Sequence, residues 1–218
     1  MLIETYKDNE VLSKFLADAI VSILKKSQEP SLILSGGSTP LPLYKELARS
    51  EMSWERVKIT TCDEHFLPEE SYGRNDVSIK TNFISHLGGD VSFFSLLDVD
   101  SINSTTYIEE NFPISPDVLV LGLGVGGHTA SIFPDAKEKN DLLFGDKSLY
   151  LVNSQLAKTK RITFGLNRLL MAKNIFLHIV GKDKMNLLVN ALVLNKLEEM
   201  PISAFLFRPN FKIFWSPE

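Results

Sequence analysis

Cysteine is nearly absent. The 218-residue chain has one, Cys62, which excludes an internal disulfide and the small stapled scaffolds of secreted proteins, and which fits a reducing compartment. A cytoplasmic protein is expected. Long apolar runs are also missing, since no stretch approaches the roughly 20 residues of a membrane span. The N-terminal segment MLIETYKDNEVLSKFLADAI carries acids where a signal peptide needs a basic region, so neither export by that route nor insertion in a membrane is expected. Nor is there an excess of positive charge. With 23 Lys and Arg against 27 Asp and Glu, a net of −4, no cationic field draws nucleic acid or an anionic surface, and an anionic ligand has to be captured by local groups. Glycine and proline, at 12 and 10, are too few for a collagen-like or low-complexity chain. What remains, 44% hydrophobic and 23% charged, suits one domain over residues 1–218 with its own core.

The apolar pattern alternates between two periods. Leu12, Phe15, Leu16, Ala19, Ile20, Ile23 and Leu24 recur at helical spacing behind Asp8 or Asn9 as cap, which predicts a helix over 9–26. The run Ser31-Leu-Ile-Leu34, bounded by Pro30 and Gly36, reads as a buried strand, and Pro40 and Pro42 suit the first turn of a helix whose inner face is Leu43, Tyr44 and Leu47. Strands are then expected at Val57–Cys62, Val91–Leu96, Val118–Leu123, Leu149–Val152, Ile175–Val180 and Phe211–Trp215. Helices are expected at Asp76–His86, Ser101–Phe112, Leu166–Ala172 and Asp183–Leu197. Such alternation predicts a mostly parallel sheet covered by helices on both faces, with ligands at the carboxyl ends of its strands. The charged stretch 135–147 reads as a solvated excursion, and Cys62, ending an apolar run, as a small buried hydrophobe.

Three segments fall where such a fold places a site. Ser35-Gly-Gly-Ser-Thr-Pro40 joins a strand to a helix, and its glycines, hydroxyls and helix N-terminus make a phosphate cradle. It is not a P-loop, because no Gly-Lys-Ser/Thr ends it. Asp63-Glu-His-Phe66 sets three ionisable side chains at a strand end; taken alone, it fits a solvated turn as well as a site. In Leu121-Gly-Leu-Gly-Val-Gly-Gly-His-Thr-Ala-Ser-Ile-Phe-Pro134 a strand runs into glycines and delivers His128, a group able to take a proton near neutral pH. Pro134 interrupts the helix that a dinucleotide-binding G-x-G-x-x-G would need. Arg161, before Ile162-Thr163-Phe164, and Lys184, just inside a helix, are the cations to complete an anion site, although each alone fits a surface charge. His178 lies within an apolar strand and reads as a satisfied core histidine, His86 as a helix-end residue. No H-E-x-x-H or C-x-x-C is present, so a catalytic metal has no support.

Taken in order, SGGSTP, DEH, LGLGVGGHTASIFP, RITF and GKDK resemble the 6-phosphogluconolactonase family, whose superfamily includes glucosamine-6-phosphate deaminases. The resemblance implies a three-layer α/β/α sandwich with a mostly parallel central sheet. It implies hydrolysis of 6-phospho-D-glucono-1,5-lactone to 6-phosphogluconate in the pentose phosphate pathway, with a sugar-phosphate lactone as the only partner and neither metal nor organic cofactor. A monomer or small homo-oligomer is expected. By similarity His128 activates the water, and Gly36, Gly37, Ser38, Thr39, Arg161 and Lys184 hold the 6-phosphate. Asp63 and Glu64 join His128 as catalytic carboxylates lining the sugar pocket, and the amides of Gly126 and Gly127 are candidates for the oxyanion. Two positions depart from the family. Gly126 stands where an aspartate is usual, and His65 where an arginine is usual; Arg74 is the candidate to reach the same space. The deaminases carry a Phe-Asn-Glu-Pro sequence where this chain has Ser131-Ile-Phe-Pro134, which lacks a carboxylate. An amino-sugar-phosphate deaminase or isomerase and a catalytically weak sugar-phosphate binding module are the alternatives.

Overall fold

The alternation in the sequence becomes alternating strands and helices in the computed structural model, which describes residues 2–97 and 104–218. The first half runs β1 (Leu2–Thr5), α1 (Asn9–Leu24), β2 (Ser31–Leu34), α2 (Leu41–Arg49), β3 (Lys58–Thr61), β4 (Asp63–His65), α3 (Asn75–Asn82), β5 (Phe93–Phe94) and α4 (Ser104–Asn111). After these come β6 (Val118–Leu121), α5 (Lys139–Phe144), β7 (Leu149–Val152), β8 (Arg161–Phe164), α6 (Leu166–Leu169), β9 (Asn174–Val180), α7 (Lys182–Leu194) and β10 (Phe211–Ser216). Asp8 is the cap of α1, its carboxylate accepting the Val11 N–H at 2.8 Å. Residues 101–103 of the helix expected from Ser101 lie outside the described residues.

Seven strands pair in the order β1-β10-β9-β6-β2-β3-β5, every neighbour parallel. Alternate residues of a strand face opposite sides of the sheet, and both sides are apolar. Leu32, Leu34, Val118, Val120, Phe176 and Phe214 pack with α1, α2 and α3. Ile33, Leu119, Leu121, Ile175, Leu177 and Ile213 pack with α4 to α7. Burial on both faces explains why these strands are short continuous apolar runs, and the expected three-layer arrangement is what forms.

Four differences from the pattern-based expectation have local causes. The strand expected from Val57 to Cys62 ends at Thr61, and the chain continues into β4, which leaves the main sheet for a second, antiparallel one in the order β4-β8-β7. There Asp63, Glu64 and His65 stand opposite Thr163, Ile162 and Arg161. The edge strand β1 is four residues long and exposes Leu2 and Ile3, so its short sequence carries no alternation of buried and exposed positions. The excursion over 135–147 contains α5, whose Leu142 and Leu143 are buried in the core; its charges mask two apolar anchors. Finally, the strand expected over Val91–Leu96 shrinks to two residues. Among the described residues no helix is long and apolar enough to cross a membrane.

Candidate active site

Connections diverge between β2 and β6, which are neighbours: β2 leads on to β3 on one side and β6 to β9 on the other. A crevice opens beyond the strand ends at such a point, and a cavity of about 250 Å³ lies there. Gly36, Gly37 and Thr39 line it from the end of β2, Gly122 and Gly124 from the end of β6, and Lys184 from the first turn of α7. Asp63, His65 and Arg161 come from the antiparallel sheet, joined by His128 and Ser131. The three glycine-bearing or charged segments are therefore brought to one place.

His128 owes its pose to backbone geometry. Its Nδ1 lies 3.1 Å from the Ala130 carbonyl; a carbonyl only accepts, so Nδ1 carries the proton and Nε2 keeps its lone pair. Ala130 holds φ +48°, a left-handed conformation costly for a residue with Cβ, and with it the turn closes through the Thr129–Ile132 bridge. One face of the imidazole lies against Phe133, ring centroids 4.2 Å apart. The ring also covers Gly124: a Cβ built there would stand 1.8 Å from Nε2. Burial holds the His128 pKa below the usual histidine value, and the nearby Lys184 and Arg161 charges push the same way. The Ala130 carbonyl and Asp63 oppose them. A neutral imidazole at neutral pH, with a defined acceptor nitrogen, is a general base.

Asp63 is held from several sides. Its carboxylate accepts from Ser131 Oγ at 2.5 Å, Asn75 Nδ2 at 3.3 Å and Cys62 Sγ at 3.2 Å, and Asn75 also binds the Asp63 carbonyl at 2.9 Å. Sequence reading missed Asn75, which lines the cavity; the near contact between Asn75 and Gly36, where a Cβ would meet Oδ1 at 1.8 Å, joins segments with no local signal for each other. Cys62 is buried, as expected.

Cations share the cavity. Arg161 and Lys184 line the cavity, and neither forms an ion pair among the described residues. Arg161 Nε is buried without a hydrogen-bond partner among the described residues, and burial lowers the guanidinium pKa against the pull of Asp63 and Glu64. His65, across from Arg161, also lines the cavity. Its Nδ1 is 3.4 Å from Thr159 Oγ1, and burial, with Arg161 beside it, lowers its pKa.

Five expected site residues are placed elsewhere. Glu64 is fully buried and turned away from the cavity, its carboxylate accepting the N–H groups of Asn75 and Asp76 at 2.7 Å and of His65 at 2.6 Å. It therefore secures the N-terminus of α3. Burial raises its pKa to about 8 against the pull of those donors. Arg74 does not reach the space beside His65: it is buried in a two-nitrogen ion pair with Asp76 and touches Ser95 Oγ at 3.3 Å. Gly126 and Gly127 do not line this cavity either. Held at φ +73° and +70°, they turn the chain back so that His128 covers Gly124, and the Gly127 amide is spent on the Gly124 carbonyl at 3.2 Å. Ser38 is exposed on the β2–α2 turn and is not among the lining residues.

Known proteins share this architecture. Residues 7–215 match the family model for glucosamine-6-phosphate isomerases/6-phosphogluconolactonase. A 6-phosphogluconolactonase of Mesorhizobium japonicum is 31% identical over 93% of this chain and 88% of its own. One from Rhizobium meliloti is 29% identical over 97% of each. The crystal structure of a 6-phosphogluconolactonase from Shewanella baltica superposes with a TM-score of 0.94 at 29% identity, covering 99% of this chain and 97% of that one.

Proposed function

The chain belongs to the family of glucosamine-6-phosphate isomerases and 6-phosphogluconolactonases, and from that premise we propose that it hydrolyses 6-phospho-D-glucono-1,5-lactone to 6-phosphogluconate, with His128 as general base. The observation that carries this reading is one cavity joining a histidine of fixed tautomer to two cations that form no ion pair among the described residues.

The chemistry needs little more. A lactone already has an electrophilic carbonyl, so the barrier falls mainly on creating the nucleophile. Water at His128 Nε2 gives up a proton as its oxygen attacks; the tetrahedral intermediate then expels the ring oxygen, which takes the proton back from the imidazolium. Asp63, whose charge favours that imidazolium, is kept aimed by Ser131 and Asn75. The turn over Gly36, Gly37 and Thr39, with Arg161 and Lys184, holds the 6-phosphate. Burial leaves Arg161 poorly solvated, which strengthens its hydrogen bonds to an anion. Over the residues that follow His128, no carboxylate lines the cavity from 129 to 134, so the ring-opening acid of the deaminases has no counterpart in that stretch.

The test is a coupled assay at controlled pH with the spontaneous rate subtracted. Catalysis above background on the phosphorylated lactone supports the reading; tight binding of 6-phosphogluconate with no rate above background replaces it with a binding module.

A further inference from the structure

His178 breaks the pattern of its strand. Alternation puts it on the same face of β9 as Phe176, packed with α1, where an apolar residue would satisfy the core. Instead the residue, which also borders the cavity, is 3% exposed and its Nδ1 is buried with no hydrogen-bond partner among the described residues, a cost that core packing alone does not explain. Its Nε2 lies 2.8 Å from Asn9 Oδ1. The Asn9 amide is fixed in turn: Nδ2 donates to the Thr39 carbonyl at 3.0 Å, and Oδ1 also accepts from Ser13 Oγ at 3.3 Å. Because Oδ1 can only accept, His178 Nε2 carries the proton.

We propose that Asn9 and His178 form a tether that fixes the spacing between the two halves of the phosphate site, and thereby set affinity for the phosphate group without touching the reacting carbonyl. The proposal rests on the phosphate site argued above. One end of the tether is Thr39, at the far end of a turn whose near end is pinned separately, by Tyr44 donating to the Ser35 carbonyl and by Ser35 Oγ donating to the Val120 carbonyl at 2.8 Å. The other end is β9, which runs through Gly181 into α7 and so delivers Lys184. Between its anchors the turn contains two consecutive glycines, Gly36 and Gly37, and without Asn9 its Thr39 end loses a hydrogen bond that holds it toward α1. A loosely held cradle must be ordered by the ligand, which weakens binding. Asn9 does not line the cavity, whereas His178 borders it from β9; both are positioning residues, acting through the Thr39 end of the turn.

The experiment compares Asn9→Ala, His178→Leu, His178→Gln and the double variant Asn9→Ala/His178→Leu, measuring Kd for 6-phosphogluconate together with kcat and KM on phosphorylated and unphosphorylated gluconolactone. Losing one such hydrogen bond should raise KM for the phosphorylated lactone, and Kd, about five- to tenfold with kcat within about twofold, and should leave the unphosphorylated substrate unaffected. His178→Gln, whose amide N–H reaches the place of Nε2–H, should restore most of the affinity. The double variant should be no worse than either single one. Unchanged KM in Asn9→Ala, equal losses on both substrates, or additive losses in the double variant overturn the tether. If His178→Leu does not fold, Asn9→Ala and His178→Gln still decide. A wild-type protein with no preference for the phosphorylated lactone would instead defeat the phosphate-site reading, a result distinguishable from failure of the tether alone.

Discussion

Arg161 and Lys184 reach the cavity outside any ion pair among the described residues, and what they do there can be separated by substrate. On the proposed reading each holds the phosphate by charge-assisted contacts worth roughly 1.5–3 kcal/mol, so Arg161→Ala or Lys184→Ala should raise KM for the phosphorylated lactone about tenfold or more and change turnover of unphosphorylated gluconolactone little. Steady-state kinetics on both substrates checks this, and equal losses would mean that they act on the reacting centre or on the fold. These cations were legible in the sequence only as members of a set, because a lone Arg before an apolar run looks like any surface charge. Asn75, Ser131 and Asn9 were not legible as site supports. Their partners lie 12, 68 and 169 residues away for Asp63 with Asn75, Asp63 with Ser131 and Asn9 with His178, and no local pattern encodes such pairings. Glu64 was misplaced for a related reason: in a strand of three ionisable residues, alternation sends neighbours to opposite sides, and the sequence does not say which side holds the cavity.

At the scale of the element, the turn from Gly122 to Pro134 decides whether His128 can act. A methyl at Gly124 would overlap Nε2, yet the backbone there, at φ −102° and ψ 177°, accepts any residue. Gly124→Ala should therefore displace the imidazole and lower the catalysed rate about a hundredfold, comparable to loss of a general base, while thermal unfolding shifts little; an active variant would show that the observed histidine pose is not the working one. Gly126→Asp tests a different property. The departure from the family at this position invites the idea that an aspartate would support His128 and raise the rate, but Gly126 sits at φ +73° and its Cβ would point at Pro134 and Leu156, 3.4 and 3.6 Å away, neither of which lines the cavity. The expected outcome is a loss of about 1 kcal/mol from the left-handed backbone, or roughly 2–4 °C in Tm, with no gain in rate. Calorimetry and the coupled assay read the two separately. The main strands and helices were legible because they obey two clear periods. The antiparallel sheet was not, since β4 is only three ionisable residues, Asp63 to His65, and its partner β8 lies about a hundred residues on in the chain, with Asp63 facing Thr163.

For the whole molecule, the parallel sheet and the small antiparallel one each contribute part of the cavity lining. Glycine turns and Lys184 come from the former, Asp63, His65 and Arg161 from the latter, so the site forms only once both sheets are assembled. The central claim is that His128, neutral and held as the Nδ1–H tautomer, is the base in lactone hydrolysis. It is tested most directly by the pH dependence of kcat/KM for wild type and His128→Ala, with spontaneous hydrolysis subtracted at every pH. Because burial lowers the histidine pKa from 6.5, the wild-type rate should be on its plateau at neutral pH and fall as pH drops through a value below 6.5, where Nε2 becomes protonated. His128→Ala should lose about a hundredfold or more and lose that acid limb, while still binding 6-phosphogluconate. A variant that keeps wild-type turnover, or a wild-type profile that stays flat through the acid range, would contradict the claim.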